Sequence, residues 1–189
     1  MATPTSLPAS WTSGQVLTAA SLNNLRGAFR ILQVATVTKT DSFTTTSATF
    51  TDITGLSVSI TPSDTSSRIL VLMSIQGNAG VSTGDALSAV QLVRGATSIS
   101  VGDAAGNRWQ ATASLTQPEA YNRVEQLDYT TSAITIFLDS PATTSATTYK
   151  VQGRVASPGT LAINRSVTDT NLAGYVRTAS TLTVLEVSA

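Results

Sequence analysis

The residue pattern changes near residue 33, and this change constrains the fold more than any other feature of the chain. Before it, residues 1–17 contain two prolines and a glycine among Thr and Ser, which predicts an extended arm. After it, polar and apolar residues alternate and β-branched residues predominate, which indicates strands. We therefore expect two parts: an N-terminal attachment arm with one short helix over residues 1–32, and a β domain over residues 33–189.

The segment that joins the arm to the β domain has a helical apolar spacing. Thr18 is a candidate N-cap for a helix from Ala19 to Leu32. The apolar stripe consists of Leu22, Leu25, Phe29 and Leu32. So short a helix needs packing of its apolar face for stability. Two interpretations stay open: the stripe packs on the chain's own β domain, or it serves self-association or docking into a partner groove. With Trp11 and Leu17, these residues form the predicted attachment and oligomerisation set.

Strand-like segments follow at short, regular intervals, and turn-forming clusters separate them. The predicted strands are Ile31–Thr38, Ala48–Ile53, Leu56–Ile60, Arg68–Ile75, Leu87–Val93, Ser98–Val101, Arg108–Leu115, Arg123–Tyr129, Ile134–Leu138, Thr147–Val155, Thr160–Ile163 and Thr181–Val187. Many short strands without a second helix are typical of a sandwich or jelly roll. The expected fold class is all-β, a jelly-roll-like β-sandwich preceded by the arm and the helix.

Two of these segments are nearly continuously apolar, namely 68–75 and 133–138. A strand of this kind is expected to be buried on both faces. In a small sandwich the partner sheet covers only one face. We therefore expect another subunit to cover the second face, and we predict a homotrimer.

Composition excludes several classes of protein. The chain contains no cysteine and no histidine, so thiolate nucleophiles, Ser-His triads, disulfides and Cys/His metal sites cannot be built. Eleven basic residues balance eleven acidic ones and are spread singly, which argues against nucleic acid as a partner. We see no secretion signal and no apolar run of membrane-spanning length, and we predict neither a catalytic centre nor a cofactor.

Several local motifs of the sequence also have ordinary structural interpretations. The glycine-rich segment 77–85 lacks the Lys-Ser/Thr pair of a phosphate loop, and we interpret it as a hairpin turn. Asn164-Arg-Ser166 matches the glycosylation motif, but without a secretion signal we regard the match as chance. Trp109, Tyr121 and Tyr129 form a candidate binding surface for a sugar or a protein. Aromatics in strands more often fill a core, and we expect this of Trp109.

Two parts of the sequence resemble bacteriophage virion proteins. The pattern Trp11-x-x-Gly-Gln-x-Leu-Thr-Ala-x-x-Leu-Asn23 is similar to an N-terminal segment of small tail-fibre and head-fibre proteins. The stretch 51–63, followed by Ser67–Val71, Asn164-Arg165 and Leu182–Glu186, is similar to a domain common in phages of aquatic and cyanobacterial hosts.

The resemblance implies a trimeric virion surface protein with a jelly-roll-like body, made in the bacterial host cytoplasm and attached to the capsid or tail by its arm. Capsid decoration, as cement or head fibre, ranks first because a reaching tail fibre normally has a long shaft, which this sequence does not show. A short tail fibre or adaptor that binds a host receptor or surface glycan ranks second. A carbohydrate-binding module using Trp109 and Tyr121 is a third alternative.

Overall fold

A computed structural model describes residues 31–80, 87–115 and 128–188, together with Gly14, Val16 and Ala19. The alternating segments of the sequence form strands because each strand can turn its apolar residues toward one side. The strands are β1 (Ile31–Lys39), β2 (Phe43–Thr45), β3 (Thr51–Ile60), β4 (Arg68–Gly80), β5 (Ser88–Arg94), β6 (Thr97–Ile99), β7 (Thr131–Asp139), β8 (Thr147–Val155), β9 (Thr160–Ile163) and β10 (Ser180–Val187).

These strands form two antiparallel sheets. Sheet 1 has six strands in the order β1-β10-β4-β9-β2, with β7 paired to β4 on its other side. Sheet 2 has four strands in the order β3-β8-β5-β6. β10 and β9 share one side of β4, where they pair with its first and last residues respectively. The expected jelly-roll-like β-sandwich is confirmed.

The core lies between the two sheets. The inward residues of β4 are almost completely buried, and so are Val151 and Leu92 on the facing strands. Alternation along β4 and β10 turns every second residue toward this core, because successive side chains point to opposite faces. The fully buried inward residues of β4 are Ile69, Val71, Met73 and Ile75.

Buried polar residues tie the two sheets together. Asp139 at the end of β7 accepts hydrogen bonds from Arg94 of β5, at 2.8 and 2.9 Å, and from the Tyr149 hydroxyl of β8 at 2.6 Å. Burial raises the pKa of Tyr149, and the bond to Asp139 raises it further. Tyr149 therefore stays neutral and serves as a donor that links sheet 2 to sheet 1.

Several predicted elements differ from the structure. The segment 108–115 forms no strand, and within it only Ala113 makes a bridge, to Val90. The two strands predicted over 48–53 and 56–60 are one strand, β3, whose pairing register shifts between Asp52 and Ser57. Gly55, with φ +87°, lies inside this irregularity and adopts the backbone conformation that favours glycine.

The predicted hairpin turn at 77–85 is also wrong at its beginning, because residues 77–80 continue β4. A Cβ on Gly77 would lie 2.3 Å from the carbonyl oxygen of Ala162. Glycine is thus required by the close approach of β9 to β4 and not by a turn. Residues 81–86 lie outside the described residues.

The region around residue 33 is only partly described. Leu32 belongs to β1 and not to the predicted helix, and β1 begins at Ile31. Trp11, Leu17, Leu22, Leu25 and Phe29 lie outside the described residues, as do Tyr121 and most of the strand predicted over 123–129. Among the residues that are described, no helix is long and apolar enough to cross a lipid bilayer.

Candidate interaction surfaces

The largest candidate surface is the outer face of sheet 1, the side turned away from sheet 2. Strand pairing places the outward residues in rows that cross β1, β10, β4 and β7. The first row is Val34, Leu185, Leu70 and Leu138; the second is Thr36, Thr183, Leu72 and Ile136; the third is Thr38, Thr181, Ser74 and Ile134. We call these twelve residues the outer face.

The outer face carries no charge, and seven of its twelve residues are apolar. Val34, Ile134 and Ile136 are 57%, 69% and 70% exposed, while Leu70 and Leu72 are half-buried between their neighbours. The charged residues Lys39, Asp139 and Glu186 of these strands all point inward and are buried. Arg68 points outward, but it lies beyond the first row, at the end of β4. Threonine hydroxyls on the face form hydrogen bonds with one another in part, since Oγ1 of Thr36 and Oγ1 of Thr183 are 2.7 Å apart.

This exposed face bears on one expectation. The sequence predicts that another subunit covers the second side of 68–75 and 133–138, and in the single chain only their inner side is fully covered. On β7 the outer side is open, with Ile134 and Ile136 among the most exposed large apolar residues that the structure describes. The sequence thus has interior-like residues at positions that a single chain leaves at its surface.

One border of the outer face is an open strand edge. β7 pairs with β4 on one side, and no strand of the described residues pairs with its other side. Residues 131–138 contain neither a charged residue nor a proline. Natural proteins usually protect an edge strand with such residues. The edge of β7 therefore continues the unprotected surface of the outer face.

A second candidate surface surrounds Trp109. The guanidinium carbon of Arg154 lies 3.7 Å from the centroid of the Trp109 ring and 5.4 Å from that of Phe50. Both arrangements are cation–π contacts. Partial burial lowers the pKa of Arg154, and its buried Nε has no hydrogen-bond partner.

A cleft of about 580 Å³ adjoins this stack and is lined in part by Leu87, Ala89, Trp109, Ala111 and Ala113. Trp109 is 37% exposed, so the expectation that it fills the core is wrong. Tyr129 is exposed too, and it takes no part in the ring contacts of Arg154. Residue spacing does not point to Arg154, because Trp109 and Phe50, the rings that it contacts, are both distant from it in the chain.

Asp169 and Asp64, two acidic residues outside the core, accept hydrogen bonds from residues nearby in sequence. A hydrogen bond from Arg177 and another from Arg165 lower the pKa of Asp169. Asp64 accepts bonds from the backbone and hydroxyl of Ser66, which lower its pKa. In the described ranges, no three acidic residues lie close enough to hold a metal ion.

Asn164 also has a structural role that the sequence did not reveal. Its side chain is completely buried, and its Nδ2 donates to the carbonyl oxygens of Lys39 and Asp41 at 2.8 and 2.9 Å. Its Oδ1 accepts a bond from the Ser180 hydroxyl at 2.6 Å. A glycan cannot be attached to an amide nitrogen enclosed in this way, which agrees with a chance match to the glycosylation motif.

Comparisons with known proteins give only distant structural similarity. Neither a protein-family model nor a curated protein matches the sequence. A chain in the structure of the Gx strain of infectious bursal disease virus is similar, with a TM-score of 0.38 and 16% sequence identity. The matched region covers 83% of this chain but only 38% of that chain. The chain thus spans well under half the length of its neighbour, and the similarity is too low to assign a function.

Proposed function

We propose that this protein is a structural subunit of a bacteriophage virion, a non-enzymatic homotrimeric knob attached through its N-terminal arm. The outer face is the observation that carries the proposal. The largest apolar patch on a protein surface is often functional, and an assembly subunit uses such a sheet surface for contact. The sequence resemblance to phage fibre and head proteins supplies the kind of assembly.

Within the virion we favour a place on the capsid, as a decoration, cement or head-fibre protein. Decoration requires surfaces that contact neighbouring subunits, and both the uncharged outer face and the N-terminal arm suit that task. It requires no exposed recognition site. This reading places the attachment residues Trp11, Leu17, Leu22, Leu25 and Phe29 against another virion protein.

The surroundings of Trp109 favour a second candidate, a short tail fibre or adaptor that binds a host receptor. An exposed tryptophan beside an apolar cleft is suited to stacking on a sugar ring or to a protein contact. The same features would serve a carbohydrate-binding module. Because Trp109 is not in the core, its position lends no support to decoration over receptor binding.

The location of the protein on the particle tests the proposal. Purified virions should contain the protein by mass spectrometry, and gold-labelled antibodies should mark the capsid surface in electron micrographs. Labelling confined to the tail would replace decoration by the receptor-binding role. Virions that lack the protein altogether would contradict the virion proposal.

A further inference from the structure

We infer that the outer face of sheet 1 is the contact surface between copies of this chain, with a second copy covering Ile134, Ile136 and Leu138. The inference rests on the homotrimer of the proposed function and assigns the surface that builds it. It does not depend on where in the virion the protein is located.

The first support is the size and chemistry of the face. Three rows across four strands, at strand spacings of about 4.8 Å and row spacings of about 6.7 Å, make roughly 400 Å². That is within the range of the largest patch on a typical monomer, about 300–600 Å², and such patches are often functional. No charge has to be desolvated when this face is covered, and Thr36 and Thr183 already bond to each other.

The second support is the adjoining edge of β7. A stable interface buries about 800 Å² per partner, roughly twice the area of the outer face. The edge of β7 adds apolar side chains and unpaired backbone groups at the border where Ile134, Ile136 and Leu138 are most exposed. A partner that covers both the face and the edge buries more surface than the face alone offers.

The charge distribution favours a second copy over an unlike partner. Unlike partners are commonly selected by complementary charges around the contact. The outer face offers no charge for such selection, and the chain as a whole has a formal net charge of zero. Two copies therefore meet without electrostatic repulsion. Closed homo-oligomers are also the commonest way in which soluble chains cover such surfaces.

The first experiment places a charge in the proposed contact. Ile136→Lys should be tolerated by the single chain, because the side chain is 70% exposed there. In the oligomer the ammonium would be buried without a partner, which should weaken association by about 100-fold or more. Leu172→Lys is the matched control, since Leu172 is 64% exposed on a loop far along the chain. Light scattering across a dilution series measures association for the full-length proteins.

We expect wild type and Leu172→Lys to be trimers at concentrations where Ile136→Lys is monomeric with an unchanged thermal transition. An Ile136→Lys protein with the mass and dilution behaviour of wild type would overturn the inference. If Ile136→Lys does not fold, the second experiment tests the inference in its place.

The second experiment uses the absence of cysteine from the sequence. Ile136→Cys and Leu172→Cys each introduce one thiol, and a maleimide dye reports its accessibility. At concentrations that favour the oligomer, the thiol at 136 should react at least about 10-fold more slowly than that at 172, and dilution should abolish the difference.

Two results would overturn the inference. Slow labelling at 136 that persists in a monomer would mean that residues 1–30 of the same chain cover the face. Fast labelling in the oligomer would mean that the copies meet elsewhere. An oligomer in which the thiol at 136 is protected from labelling, but which is absent from virions, would instead contradict the proposed function and leave this inference intact.

Discussion

At the residue scale, a few buried polar side chains hold segments that the hydrophobic pattern alone would not fix. Asn164 has φ 61° and joins the end of β1 to the start of β10 through three side-chain hydrogen bonds. Glu186 is buried in β10 and accepts bonds from the backbone and hydroxyl of Ser63 at 2.7 and 2.6 Å, and from Gln33 at 2.5 Å. Neither role follows from residue spacing, because every partner is distant in sequence.

Replacing Asn164 by glycine should separate the contribution of the side chain to stability from that of the backbone conformation. Glycine accepts the positive φ, so the loss reflects the hydrogen bonds to Lys39, Asp41 and Ser180. We expect the free energy of unfolding to fall by about 2–3 kcal/mol, because buried groups lose their partners. Urea denaturation measures it. A loss below about 0.5 kcal/mol, the range of ordinary surface changes, would contradict this role.

Glu186 should make stability depend on pH in acid. Burial by itself would raise the pKa of Glu186, but the bonds from Ser63, Gln33 and Ser67 together outweigh burial and hold the pKa below its usual value. A carboxyl with a lowered folded-state pKa stabilises the protein above its unfolded pKa of about 4.3, and this stability is lost as the pH falls through the folded-state value.

Glu186→Gln tests this dependence. At pH 7 the variant should be less stable than wild type by about 1–3 kcal/mol, since an amide accepts these bonds less well. The difference should shrink in acid, where wild-type Glu186 becomes protonated. Chemical denaturation between pH 7 and pH values below about 4 provides the comparison. A constant difference over the whole range would show that the charge of Glu186 is not what the pocket stabilises.

Trp109→Ala tests whether the Trp109 ring lies at the surface or in the core. Because the ring is partly exposed and its described ring contact is the stack on Arg154, we expect a loss of about 1–2 kcal/mol. Leu92→Ala, at a fully buried position, is the control and should cost about 2–5 kcal/mol. If Trp109→Ala assembles but abolishes host adsorption, the receptor-binding role replaces decoration.

At the element scale, the periodicity of the sequence predicted most strands, and it failed where a strand is very short or where an alternating segment lies outside the sheets. β8 and β9 have the predicted bounds, because their alternation is clear and turn residues flank them. The short strand β2 was not predicted, since three residues are too few to show a period. The segment around Trp109 alternates like a strand, yet Trp109 and Ala111 line a cleft, and only its end at Leu115 is buried in the core.

Gly77→Ala tests the contact between β4 and β9. A methyl group at this position would collide with the carbonyl oxygen of Ala162, and a backbone atom cannot move aside as a flexible side chain can. We expect a loss of about 3 kcal/mol in the free energy of unfolding. Gly102→Ala is the control, because nothing lies within 4 Å of its added Cβ, and it should change stability by less than about 0.5 kcal/mol. Equal effects of the two substitutions would refute the close-packing explanation.

At the scale of the whole molecule, the sequence predicted the sandwich but not which of its surfaces are left open. It indicated that two strands carry interior-like residues on both sides, and the structure shows that one of these sides is exposed in the single chain. The candidate surface around Trp109 could be predicted only in part, because Arg154 reaches the rings of Trp109 and Phe50 through tertiary folding.

A shortened chain that begins at Ile31 tests whether the arm attaches the protein while the β domain folds on its own. The described core draws all its buried residues from positions after 38, so the body should keep a cooperative β-type thermal transition. Without the arm it should no longer bind to virions, which co-sedimentation with particles measures. A shortened protein that binds particles as well as the full chain would show that the arm is not the anchor.

A cryo-electron microscopy reconstruction of the purified virion tests the proposed role and contact surface most directly. We predict a trimeric knob on the capsid, in which the outer face of sheet 1, with Ile134 and Ile136, is buried against a neighbouring copy. A knob built from single chains, or one in which that face is turned to solvent, would contradict it.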